Sequence, residues 1–178
     1  MTEDNRKQRT KKALEKAMAD LLKQQSLDNI TTIKLVQTAK ISRSSFYTHY
    51  RDKYEMIEQY QQTVFANIEY IFDKHDLDKE AIILEVFDYL NREELLAALL
   101  SHNGTREIKT FIRHKLQILL TRDLRYRFST EGRSELEELY SGIYFSHAIF
   151  GVCQKWIARG KKESPQEITK LLLQLLGK

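Results

Sequence analysis

The chain has 178 residues, 42% of them hydrophobic, which is enough to bury a core and excludes wholesale disorder. Its net charge of +4 is uneven: residues 1–53 carry twelve Lys or Arg against six Asp or Glu, and residues 54–178 carry seventeen against nineteen. The single cysteine, Cys153, excludes an internal disulfide. The charged N-terminus does not read as a secretory signal, and no apolar run reaches the roughly 18 residues of a membrane span, so a cytoplasmic protein is expected.

One proline and six glycines leave long uninterrupted stretches rich in Leu, Lys, Glu and Gln, which favour helices. A first helix is predicted from about residue 4 to 25, with Ala13, Leu14, Ala17, Met18, Leu21 and Leu22 in one apolar stripe. Arg9, Lys12, Lys16 and Lys23 lie on its other face. Residues 26–29 form a turn. Thr31 is placed to cap a second helix whose apolar side is Ile33, Leu35, Val36 and Ala39. Lys40-Ile41 is the next turn, and Ser42 caps a third helix reaching Tyr50. Three helices within about fifty residues, the last two joined tightly, fit a helix-turn-helix.

A fourth helix is predicted over about 52–74, lined by Ile57, Tyr60, Val64, Ile68, Ile71 and Phe72, with a break at 75–78. A fifth follows over about 78–90. Asn91, with Glu94 at the third position, predicts a capped start for the next. Residues 101–104 form a loop. Residues 105–128 form a helix burying Ile108, Phe111, Ile112, Leu116, Leu119 and Leu120, followed by a loop at 129–133. The penultimate helix spans about 134–159, with Gly160 just past its end. Ser164-Pro165-Gln166-Glu167 opens the last helix. Its main apolar face is Ile168, Leu171, Leu172, Leu175 and Leu176, with Leu173 on another side. No strand pattern competes. The expected fold is all-α with about nine helices: a DNA-binding head over residues 1–51 and a helical regulatory and dimerisation domain over 52–178.

The third helix carries the chemistry. Phe46 and Tyr50 lie about 40° apart on a helical wheel and define a packed side. Ser44 and Thr48 lie opposite, and Ser45, Tyr47 and His49 flank them. Small hydroxyl residues facing away from the core let a helix approach the floor of the major groove, while longer groups reach the phosphate walls. Arg43, in the first turn, is the candidate for a bidentate contact to guanine. Basic charge concentrated in the same third of the chain agrees with a polyanionic partner.

Ile30-Thr31, Leu35, Ala39, Ile41-Ser42, Phe46-Tyr47, Tyr50 and Lys53 fall at spacings that resemble the TetR family of transcriptional regulators, over about residues 9–57. The resemblance implies that Thr31 and Thr32 meet the DNA backbone. It implies that Arg43, Ser44 and Ser45 face bases or nearby phosphates, and that Tyr47, His49 and Lys53 hold phosphates. Ser42 and Thr48 complete the expected DNA-facing set. Two positions depart from the pattern: Lys40 stands where glycine is frequent, and Val36 where alanine is. Residues 140–176, with Trp156-Ile157, Gly160 and Glu163-Ser164-Pro165, resemble the branch of the family associated with dihydroxyacetone-kinase genes.

The family resemblance implies that the last two long helices pair across a two-fold axis. Gly142, Ser146 and Gly151 permit close helix approach, and Leu173 gives the last helix its second apolar side. A homodimer would read an approximately palindromic double-stranded operator. A small-molecule effector or a partner protein would act on the body. An enzyme is not expected. None of the five histidines forms an i,i+4 pair, no phosphate-binding glycine loop occurs, and Cys153 sits in an apolar helix. No catalytic residue, metal or cofactor is therefore assigned. The alternative is a helical interaction module or coactivator working through a partner.

Overall fold

The structure, a computed structural model, describes residues 3–75, 78–127 and 134–176, with side chains for 5–75, 78–119 and 134–176. The predicted loop at 129–133, the helix end at Phe128 and the burial of Leu120 lie outside those residues. The regular elements described are all helical. They are α1 (Glu3–Leu22), a 3-10 turn (Leu27–Asn29), α2 (Thr32–Ala39), α3 (Arg43–Tyr47), α4 (Lys53–His75), α5 (Lys79–Arg92), α6 (Glu94–Leu100), α7 (Arg106–Arg127), α8 (Glu135–Ala158) and α9 (Pro165–Leu175).

The chain divides into two compact units, Met1–Ala66 with Glu93–Thr105, and Asn67–Arg92 with Arg106–Lys178. The boundary expected at 51/52 marks the start of α4 but not where the packing divides. In the first unit α1 packs against both α2 and α6. Every residue of α6 from Leu95 to Leu100 is buried, as a short helix apolar on all sides requires. The predicted stripe of α1 is buried at Leu14, Ala17, Met18, Leu21 and Leu22, where it joins Leu27, Ile30, Leu35 and Phe46 in the core.

The helix ends follow local chemistry at some places and tertiary partners at others. Thr31 Oγ1 accepts from Lys34 N at 3.2 Å, capping α2 as predicted. At the other end Lys40 N donates to Gln37 O, and Ile41 N donates to Val36 O, both at 3.1 Å. This is a Schellman ending, and it places Lys40 in the left-handed region at φ 55°, ψ 41°. α1 stops at Leu22, short of the predicted residue 25. Asn103 Nδ2 takes the Leu22 carbonyl at 2.6 Å, and Leu27 N donates to Asn103 O at 3.3 Å. The 101–104 loop thus holds the end of α1. Within it, a Cβ on Gly104 would lie 1.7 Å from Leu99 O.

Three expectations are corrected. Asn91 does not cap α6, because it lies inside α5. The residue before α6 is Glu93, which makes no side-chain cap; its carboxylate accepts instead from Tyr60 Oη at 2.9 Å. Ile33 is 46% exposed, since α2 has only eight residues and buries just Leu35 and Val36. Phe111 lies at the surface of α7, where Ile108, Ile112 and Leu119 take the buried side.

In the second unit α7 pairs with α8, and α5 with α9. Phe72, Ile82 and Leu119 form a core cluster flanked by Ile68 and Val86. Phe87 meets Trp156 edge to face at 5.2 Å, and the Trp156 indole donates to Glu163 O at 2.9 Å. Ser134 with Glu137 and Ser164 with Glu167 form full capping boxes at the starts of α8 and α9. α8 also ends in a Schellman pair, Gly160 N to Ile157 O and Lys161 N to Trp156 O, here with glycine left-handed at φ 79°. The neighbouring Lys161 sends its ammonium to the carbonyls of Leu90 (2.7 Å) and Asn91 (3.0 Å) at the end of α5. A cation at a helix C-terminus offsets the dipole and satisfies orphan carbonyls.

Candidate nucleic-acid interface

α3 is shorter than predicted. Its helix closes at Tyr47, with Thr48 as cap and His49 in the following turn. Ser42 Oγ accepts from Ser45 N at 3.0 Å, which fixes the start. Phe46 is fully buried and Tyr50 nearly so, their ring centroids 5.7 Å apart, so the predicted anchors hold α3 to the core. Arg43, Ser44, Tyr47 and Thr48 are exposed, while Ser45 and His49 are half-buried. Thr31 is exposed and Thr32 half-buried at the start of α2, which packs against α3.

The exposed groups differ in what they can offer. Arg43 makes no ion pair among the described residues, which leaves its guanidinium fork open to a planar acceptor pair such as guanine N7 and O6. Thr48 Oγ1 donates to Ser44 O at 2.9 Å, so outward it presents an acceptor and a methyl group. Tyr47 is 58% exposed and braced edge to face against Phe46 at 5.4 Å, which stiffens a phenol pointing away from the core.

Two lysines escaped sequence reasoning. Lys11 Nζ lies 5.9 Å from the centre of the Tyr50 ring. Burial first, then the charges of Lys11 and Lys7, hold the His49 imidazole below its ordinary pKa. α1 therefore adds cationic charge beside the end of α3. The readable signal was the i,i+4 spacing of Lys7 and Lys11, one face of a helix. Lys53, expected to hold a phosphate, turns inward. Its side chain is 9% exposed, and its ammonium donates to three main-chain carbonyls inside the first unit.

A second surface lies on the other unit. Leu136, Leu139, Tyr140 and Tyr144 of α8 and Leu171 and Leu175 of α9 are exposed apolar side chains. Gly151 is exposed too, with nothing within 4 Å of where a Cβ would stand. Phe87 and Phe150 are buried in the core, whereas Tyr144 is exposed. Cys153 is buried, and burial pushes its thiol up to about 12, out of reach of thiolate chemistry at neutral pH. Among the described residues no group of three or more His, Cys, Asp or Glu could hold a metal ion. No helix among them is long and apolar enough to cross a membrane.

The family model TetR_C_8, described as "Transcriptional regulator C-terminal region", matches residues 78–178, more than half of the chain. The chain belongs to the TetR family of transcriptional regulators. As a TetR-family regulator it is a DNA-binding protein and not an enzyme. Membership carries with it operator binding and dimerisation. Two solved structures share the fold over nearly the whole length. One is a TetR transcriptional regulator from Streptococcus agalactiae 2603V, with a TM-score of 0.66 and 18% identity over 98% of this chain and 97% of that one. The other is the dihydroxyacetone kinase operon activator DhaS, with a TM-score of 0.65 and 20% identity over 94% of this chain and 93% of that one. No curated protein sequence matches the chain.

Proposed function

We propose that this TetR-family regulator acts in the cytoplasm as a homodimer, binds a pseudo-palindromic operator through its two α2–α3 heads, and represses transcription there. The observation that carries the reading is the division of labour on α3. Phe46 and Tyr50 anchor it, while Arg43, Ser44, Tyr47 and Thr48 stand exposed beside the cationic charge of α1. In this reading Arg43, Ser44, Ser45 and Thr48 contact base edges. Thr31, Thr32, Ser42, Tyr47 and His49 contact the backbone. The two heads read half-sites about one helical turn apart. Lys53 is left out of the contact set because its three donors are engaged.

The dimer is supported by the apolar side chains of α8 and α9, which a second copy would cover as a four-helix bundle. Changing Leu175 to glutamate should turn the dimer into a monomer in light scattering, with helical content unchanged. An effector or partner protein would modulate operator affinity by favouring one of two states of the body. No ligand residue is assigned, since Phe87 and Trp156 fill the core against each other.

The salt dependence of operator binding tests direct DNA reading. An operator selected in vitro should bind with a log–log slope of about −0.9 per neutralised phosphate. A flat response and no palindrome preference would favour a module acting through a partner protein. Activation is the second reading, supported by the likeness to DhaS, which is named an operon activator. A reporter driven from the operator separates the two: deletion of the regulator raises expression under repression and lowers it under activation.

A further inference from the structure

Lys53 opens α4, yet its side chain turns back into the first unit. Its ammonium donates to Leu27 O at 2.8 Å, Asp28 O at 2.9 Å and Ile30 O at 2.7 Å. An ammonium has three donors, so the set is complete and none remains for a phosphate. The Tyr54 ring lies 4.9 Å from Nζ, and Tyr54 Oη donates to Asp28 Oδ1 at 3.3 Å, closing the site on the outer side.

The three carbonyls belong to one stretch of chain. Leu27 and Asp28 form the 3-10 turn after α1, and Ile30 immediately precedes Thr31, the cap of α2. Leu27 and Ile30 are themselves buried, so this stretch is fixed to the core. The bonds span sequence separations of 26, 25 and 23 residues, and the segment they enclose contains all of α2 and α3. Helices of eight and five residues are too short to hold themselves in place, so beyond the packing of Leu35, Val36, Phe46 and Tyr50 their direction depends on how the two ends of that segment are fastened.

We propose that Lys53 is a positioning residue for operator recognition, a clasp that joins the two ends of the α2–α3 segment and sets the direction in which Arg43, Ser44 and Tyr47 face DNA. The proposal rests on the DNA-reading role of α2–α3 given above. The clasp is directional because three acceptors converge on one tetrahedral group. Removing the ammonium takes this donor from Asp28 O and Ile30 O and leaves Leu27 O only the Ile30 N–H at 3.1 Å, which would release the segment from the core. Burial acts against the charged form of Lys53, while Asp28 and Asp52 favour it, as expected of a cation held inside a protein for structural ends.

Two full-length variants test it. Lys53→Met keeps most of the stem and removes the cation. Lys53→Arg keeps the charge, but its planar fork cannot converge on three carbonyls. Binding is measured at a temperature where circular dichroism shows each variant folded, to the selected operator and to a random duplex of equal length, across a salt series. Both variants should lose tenfold or more in operator affinity. Both should keep random-duplex affinity within about twofold and its salt slope unchanged. Wild-type operator affinity for Lys53→Arg, with a slope reduced by about one unit per head for Lys53→Met, would overturn the clasp in favour of a phosphate contact. Wild-type operator affinity for both variants would overturn it in favour of a contribution to stability alone. A wild-type protein with no operator preference would overturn the DNA-reading role, and the clasp with it.

Discussion

Changing Lys40 to glycine should make the protein more stable. Lys40 is left-handed at φ 55°, ψ 41° and exposed, and its main-chain N–H supports the Schellman ending of α2. An L-residue in that region carries about 1–2 kcal/mol of strain that glycine lacks. Glycine in turn gives up about 0.4–1 kcal/mol through its freer unfolded chain. The balance is a gain of about 0.5–1 kcal/mol, or about 2 °C in Tm for a chain of this size. α8 shows the alternative within the same molecule, since Gly160 fills the equivalent position. The assay is thermal unfolding followed by circular dichroism, with Lys40→Ala alongside. Alanine removes the charge but keeps the strain, so it should leave Tm where it was. A glycine variant no more stable than the alanine variant would refute the strain argument. It would mean that the left-handed position carries no more strain than the freer unfolded chain of glycine offsets.

Gly104→Ala should destabilise by at least about 3 kcal/mol, because the new Cβ would meet Leu99 O at 1.7 Å and no side-chain rotation relieves a clash with backbone; a urea midpoint near that of the wild type would contradict it. Thr169 Oγ1 is buried without a hydrogen-bond partner among the described residues, so Thr169→Val should stabilise by about 1 kcal/mol, read as a higher Tm; a lower Tm would show that the hydroxyl is satisfied. His49, held below its ordinary pKa first by burial and then by Lys11 and Lys7, is neutral at pH 7. A histidine depressed in the fold takes up its proton more readily when unfolded, so its contribution to stability falls as pH drops below about 6.5. If it contacts a phosphate, operator affinity should rise over the same window, and His49→Gln should abolish that rise. A wild-type profile flat from pH 7 to 5.5 would remove His49 from the contact set.

Features that depend on neighbours three or four residues apart were legible. The caps at Thr31, Ser42 and Ser164 lie where their hydroxyls and the following backbone predict, and Phe46 with Tyr50 bury as an i,i+4 pair should. What escaped prediction depends on residues distant in sequence. Asn91 and Glu94 match a capping pattern, but Lys161 satisfies the carbonyls of Leu90 and Asn91 from 70 or more positions away, where α5 continues to Arg92. Lys53 matches a family position, yet its partners lie 23 to 26 residues upstream, and nothing in its own neighbourhood announces them. Ile33 followed the apolar period of α2, but so short a helix has only two positions that the core can reach.

The first unit is discontinuous: its last pieces, α6 and the 101–104 loop, arrive nearly thirty residues after Ala66. A chain emerging from the ribosome at about 5–20 residues per second therefore waits a few seconds before the side of α1 that packs on α6 can be covered and the Leu22 carbonyl claimed by Asn103. A fragment ending near residue 51 would lack both. Grafting this head onto another body, or recovering it by proteolysis, therefore requires the segment from Glu93 to Thr105 to travel with it.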